Sequence, residues 1–109
     1  MKLVIAIVHD EDSFELIEEL TDNGYKVTKL ATTGGFLKAG NTTLLIGVEK
    51  EKVDSVLSII QDVCKTRKGA VSMPSPIASS TGVFVPTPVE VTIGGATVFV
   101  LDIERFERI

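Results

Sequence analysis

From Lys2 the chain runs Leu3-Val4-Ile5-Ala6-Ile7-Val8 without a polar side chain. A strand of this kind is not amphipathic, so it needs cover on both of its faces. The strands expected at Asn41 to Val48 and Ala96 to Leu101 make the same demand. Only two segments offer helical cover. One starts at the acids Asp10-Glu11-Asp12-Ser13, carries Phe14, Leu16, Ile17 and Leu20 on its apolar face, and stops at Asn23-Gly24. The other, Glu49 to Thr66, carries Val53, Val56, Leu57, Ile60, Val63 and Cys64 at helical spacing. Lys65, Arg67 and Lys68 sit at its favourable end for cations, and Gly69 can stop it. Two helices cover one face of a sheet. The chain is therefore expected to bury the second face against copies of itself, with cyclic symmetry.

The remaining elements complete an α+β plan. Tyr25 to Thr33 reads as the second strand. Val71 opens a possible strand. Pro88 to Ile93 alternates as a strand buried on one face, and Gly94-Gly95 reads as a tight hairpin turn into Ala96–Leu101. Ile103, Phe106 and Ile109 in the polar tail have the spacing of a short helical turn. The order βαβ-βαβ with an added β-hairpin is the ferredoxin-like arrangement, in one domain spanning 1–109. Two loops stand out, a short glycine-rich one at 33–41 and a long Pro/Ser-rich one at 72–88. A loop as long as the second in a small domain is usually functional or disordered.

Charge narrows the class of partner. The chain holds 15 acids in 109 residues and a net charge of −4, which argues against sequence-independent nucleic-acid binding. No apolar run reaches the length of a membrane span, and Met1-Lys2-Leu3-Val4-Ile5 leads into a strand without a cleavage site. A cytoplasmic location is the default expectation. Yet from Asn23 through Val48 there is no acid, where about 3 to 4 would fall by chance, while Lys26, Lys29 and Lys38 are present. An acid-free island in an acidic protein points to an anionic ligand. Inside it, Thr32-Thr33-Gly34-Gly35 and Ala39-Gly40-Asn41 bracket Phe36, Leu37 and Lys38. Glycines there can turn backbone N–H groups outward, and a phenyl ring beside them can stack on a base. An ordinary β-hairpin with turn glycines is the plainer reading of the same residues. Gly47, in mid-strand, suggests close approach of another group to the backbone.

Catalytic groups are scarce. His9 is the one histidine, at a strand end beside acids, where a surface role is the safer reading. Cys64 is the one cysteine and reads as a packed, inert thiol, so no disulfide and no metal-ligand spacing arise. Gly34 to Gly40 lacks the G-K-[ST] ending of a P-loop and leads into a strand. Phe99, Asn41 and Thr28 each have adequate structural explanations as strand or turn residues. An enzyme is not expected, nor a cofactor.

Three blocks carry a family resemblance: T-K-L-A-T-T-G-G-F-L-K-A-G-N-T-T at 28–43, P-V-E-V-T-I-G-G-A-T-V-F-V at 88–100, and V-H-D-E-D-S at 8–13. Together they resemble the P-II-like cyclic-di-AMP receptors of Gram-positive bacteria over nearly the whole chain. The resemblance implies a homotrimer of ferredoxin-like subunits holding one cyclic di-AMP in each of three clefts between subunits. It also implies a receptor that changes loop order on binding and signals to a downstream protein. Thr28 and Asn41 would then hydrogen-bond one adenine. Backbone groups of Gly35, Phe36 and Leu37 would meet the phosphates and the nearby base, Gly47 would leave room, and Phe99 would line the neighbouring side. Two charged positions depart from the pattern. Lys26 stands where arginine is usual, keeping the charge without the planar fork, and Arg108 replaces a glutamine that contacts ligand in relatives. Ile77-Ala78-Ser79-Ser80 and Thr87 also differ from the usual Met-Gly-Gly and tyrosine. The shared fold leaves open a P-II-type regulator binding ATP or another nucleotide or metabolite. Against that stand the short loop between strands two and three and Tyr25 as the one tyrosine, placed in a strand.

Overall fold

The chain is described here by a computed structural model covering residues 1–30, 40–74 and 86–109, with 69–74 and 86–90 given as backbone only. Strands β1 (Lys2–His9), β2 (Val27–Leu30), β3 (Asn41–Val48) and β6 (Ala96–Asp102) form one sheet in the order β2-β3-β1-β6. All three pairings are antiparallel. Helices α1 (Asp10–Asp22) and α2 (Val53–Cys64) follow β1 and β3, the second preceded by a 3-10 turn at Lys50–Lys52. This arrangement is compatible with a ferredoxin-like fold.

Period-two alternation sorts the sheet. Val4, Ala6 and Val8 of β1 and Leu44, Ile46 and Val48 of β3 are buried with Leu16, Leu20, Val56, Ile60 and Cys64 of the helices. Full burial of the Val, Leu and Ile side chains among these stabilises the fold by roughly 1.5–3 kcal/mol each. The alternate residues point the other way. Leu3, Ile5 and Ile7 are half-buried, while Phe99 and Leu101 are 50% and 48% exposed. No helix among the described residues packs on that face. Thr28, Leu45, Ile5 and Phe99 form one row across it, joined by the registers of β2, β3, β1 and β6. The expected two-sided strands are therefore present, with cover on one side.

Several boundaries move. Phe14, expected on the apolar face of α1, is 78% exposed. The second helix ends at Cys64, so Gly69 does not stop it. Arg67 opens a strand instead, and β4 (Arg67–Pro74) pairs antiparallel with β5 (Pro86–Ile93) as a separate two-stranded sheet. The hairpin expected between β5 and Ala96–Leu101 does not form, because β6 pairs with β1. Gly94 and Gly95 serve as the crossing from one sheet to the other, both with positive φ (83° and 94°). A Cβ on Gly94 would lie 2.5 Å from the Lys65 carbonyl oxygen, so only glycine fits where the chain passes under the base of β4. No helical turn forms in residues 103–109. Strand character reaches into both ends of the expected 72–88 loop, and residues 75–85 lie outside the described residues.

Arg67 fastens this second sheet to the body. Its guanidinium donates to both carboxylate oxygens of Asp12 at 2.6 and 3.4 Å. Asp12 is almost fully buried, and the bond to it is the main reason the Arg67 pKa is raised further. Asp12 is thus more than a helix-start acid. Two residues earlier, in the same turn, Asp10 accepts from the Thr42 hydroxyl, and its backbone N–H donates to the Gly40 carbonyl at 2.8 Å.

Candidate ligand-binding site

The end of α1 shapes the site. Gly24, at φ 86°, closes the helix. Its N–H donates to Thr21 O at 3.0 Å, and the Tyr25 N–H donates to Leu20 O at 3.0 Å. This is the Schellman closure expected from Asn23-Gly24. The Asn23 side-chain amide adds a bond to Glu19 O at 2.8 Å. Tyr25 leaves the turn packed against the core, its hydroxyl 2.8 Å from Ser55 Oγ on α2. Lys26 and Thr28 follow at the entrance to β2.

The turn forms one wall of a cavity of about 720 Å³. Gly47 and Leu45 of β3 form its floor, and Lys52 of the 3-10 turn and Phe106 and Arg108 of the C-terminal tail close it. The tail is tied down where the Ile103 N–H donates to Met1 O at 3.2 Å. Gly47 is exposed, has ordinary strand geometry, and would place a Cβ with nothing within 4 Å. The space above it is therefore not required by the fold.

Of the nine residues expected from sequence, Lys26, Thr28, Gly47 and Arg108 line this one cavity. Asn41 does not. It sits at the far end of β3, opposite His9, whereas Gly47 faces Leu3. Six residues of strand separate them, roughly 20 Å. Phe99 lies on the same sheet face in β6, three strands from Thr28, or roughly 14 Å. Gly35, Phe36 and Leu37 lie outside the described residues. Sequence reading missed Lys52 and Phe106 as cavity residues. Phe106 was legible only as part of a helical spacing that is not realised. Lys52 becomes a cavity residue only because α2 starts in a 3-10 turn beside the end of β3.

The electrostatics suit an anion. Lys26, Lys52 and Arg108 line the cavity with one acid, Glu49. Elsewhere Lys2, Arg67 and Arg105 are paired with Asp102, Asp12 and Glu107. Among the described residues no carboxylate is in ion-pair reach of the three cavity cations. Unpaired cations around an open apolar floor can hold a phosphate-bearing molecule with a flat base. No cluster of His, Cys, Asp or Glu that could hold a metal ion occurs among the described residues. No described helix is long and apolar enough to cross a membrane.

Fold and cavity together define a small α+β domain equipped to bind an anionic small molecule. The cyclic-di-AMP receptor family matches this chain over residues 1–109, and the chain belongs to that family. Among solved structures it is similar to a protein from Pediococcus pentosaceus described as functionally unknown. The two share 44% identity over 99% of this chain and 96% of the other, with a TM-score of 0.75. The family is one of receptors, and its ligand is a cyclic dinucleotide.

Proposed function

We propose that this protein is a P-II-like signal-transduction receptor that binds cyclic di-AMP at clefts between subunits of a homotrimer. It acts in the cytoplasm on a downstream protein. The observation that carries the reading is the division of the expected contacts. Lys26, Thr28, Gly47 and Arg108 share one cavity, while Asn41 stands at the opposite end of the same strand. One small ligand cannot reach both ends of β3 in a single subunit. A second copy, set with its Asn41 end against the first copy's cavity, would complete the set. The apolar sheet face around Ile5, Phe99 and Leu101 supports burial against such a copy. Ligand contact near 33–41 would then be read out by a change in loop arrangement there and at 72–88, driven by differential affinity for two arrangements.

Calorimetry with cyclic di-AMP, cyclic di-GMP, and ATP with and without 2-oxoglutarate tests the ligand. Sedimentation equilibrium tests the assembly. The expected result is heat with cyclic di-AMP at one ligand per subunit, and a species of three subunits. No heat at high micromolar cyclic di-AMP, or a lone monomer at every concentration, would refute the proposal. Binding of ATP that depends on 2-oxoglutarate would replace it with the P-II-type alternative.

A further inference from the structure

The 3-10 turn ahead of α2 places Lys52 on the wall of the cavity, facing the same space as Lys26 and Arg108. We propose that Lys52 is a ligand-contacting residue that sets affinity by meeting one of the ligand's two phosphodiesters. This rests on the cyclic-di-AMP reading above. Three observations support it. Lys52 is exposed, and its side chain makes no ion pair among the described residues, so its ammonium is available. Three cations against Glu49 leave the cavity wall with a net charge of about +2, which balances a doubly anionic ligand. The turn itself is fixed, because the Lys52 N–H donates to Glu49 O at 2.9 Å and the segment leads into a helix whose Val56 and Ile60 are buried. The ammonium is thus delivered from a rigid base.

Lys50 is the internal control. It lies in the same turn, two residues away, and does not line the cavity. Lys52→Gln, Lys52→Arg and Lys50→Gln should be compared with the wild-type chain by calorimetry with cyclic di-AMP at low and moderate salt. Loss of one charge-assisted phosphate contact should weaken binding by roughly 5- to 20-fold in Lys52→Gln. The salt dependence should also become shallower, because one fewer cation is engaged. Lys52→Arg and Lys50→Gln should bind within about twofold of wild type. Unchanged melting curves are expected for all three, since both side chains are exposed. Wild-type affinity and salt slope in Lys52→Gln overturn the inference while leaving the receptor reading intact. Equal weakening in Lys50→Gln overturns it too, since general surface charge would then suffice. No binding by the wild-type chain overturns both.

Discussion

Gly47 separates the needs of the fold from the needs of the ligand. It lies in the middle of β3, paired with Leu3, with ordinary strand geometry and open space where a Cβ would stand. Glycine in a strand interior costs roughly 0.5–1 kcal/mol relative to alanine, through lost backbone freedom. Gly47→Ala should therefore raise the stability of the ligand-free protein by about 0.4–1 kcal/mol. In a domain of this size that is a rise in Tm of roughly 2–6 °C. Gly47→Val should do as well or better, because branched side chains suit a strand. Binding should move the opposite way. The new carbon enters the cavity from its floor, and overpacking of a fitted site by one or a few carbons costs roughly 1–3 kcal/mol. That is a loss in affinity of roughly 5- to 150-fold, larger for valine. Thermal melts followed by circular dichroism give the first quantity, and calorimetry with cyclic di-AMP gives the second. A lower Tm for both variants without ligand would show that the fold itself needs glycine here. Wild-type affinity in Gly47→Val would show that the ligand does not approach this strand. Either result refutes the reasoning.

Arg67→Ala should destabilise the protein far more than Arg105→Ala. The first strands the buried Asp12 carboxylate, while the second breaks an exposed pair with Glu107; urea melts of the two variants check this. Cys64 should be inert in the native state, because burial first, and the Asp12 charge second, push its pKa up to about 11. At pH 8 such a thiol holds roughly 0.1% thiolate, against about a quarter for an ordinary one, so a thiol reagent should label the native protein at least about 100-fold more slowly than the urea-unfolded chain. The same shift has a stability consequence. Below the ordinary thiol value both states keep the proton and nothing is lost; as pH climbs from there toward 11, the unfolded chain ionises first and stability falls. Cys64→Ala should flatten that part of the alkaline profile.

Legibility in the sequence followed locality. Strand β3 was readable to the residue, because Asn41–Val48 combines branched side chains with a turn on one side and a helix on the other. The end of α1 was readable because Gly24 takes the positive φ that only a glycine takes cheaply. Partner choice between strands was not. Val89, Val91 and Ile93 followed by two glycines form a good local hairpin signal, yet β6 pairs with β1 across the whole chain. The β1 run needs a neighbour on each edge, and that long-range demand outweighs a short turn. Arg67 misled for a similar reason. Near a helix end it looks like a dipole partner, but its carboxylate stands 55 residues earlier, at the head of α1. Of the site, the Lys26 to Thr28 wall was legible through its missing acids. Lys52 and Phe106 were not, since only the folded chain brings a turn and a tail to the same strand end.

The subunit has two unlike poles. At one end of the sheet lie the cavity, the close of α1 and the C-terminal tail. At the other lie His9, Asn41 and the start of α1, whose first turn holds Gly40 and Thr42 through Asp10 and the base of β4 through Asp12. If a ligand in one copy's cavity also meets Asn41 of a second copy, the contact joins unlike poles of two copies, which a reciprocal two-fold pair or a head-to-tail ring can each supply. A heterologous contact leaves one pole unmet at each end of any open chain of subunits. Among head-to-tail assemblies, closure into a ring is the one that satisfies every pole. The proposed trimer is one ring of this kind, and a symmetric dimer in solution with full ligand affinity would contradict it.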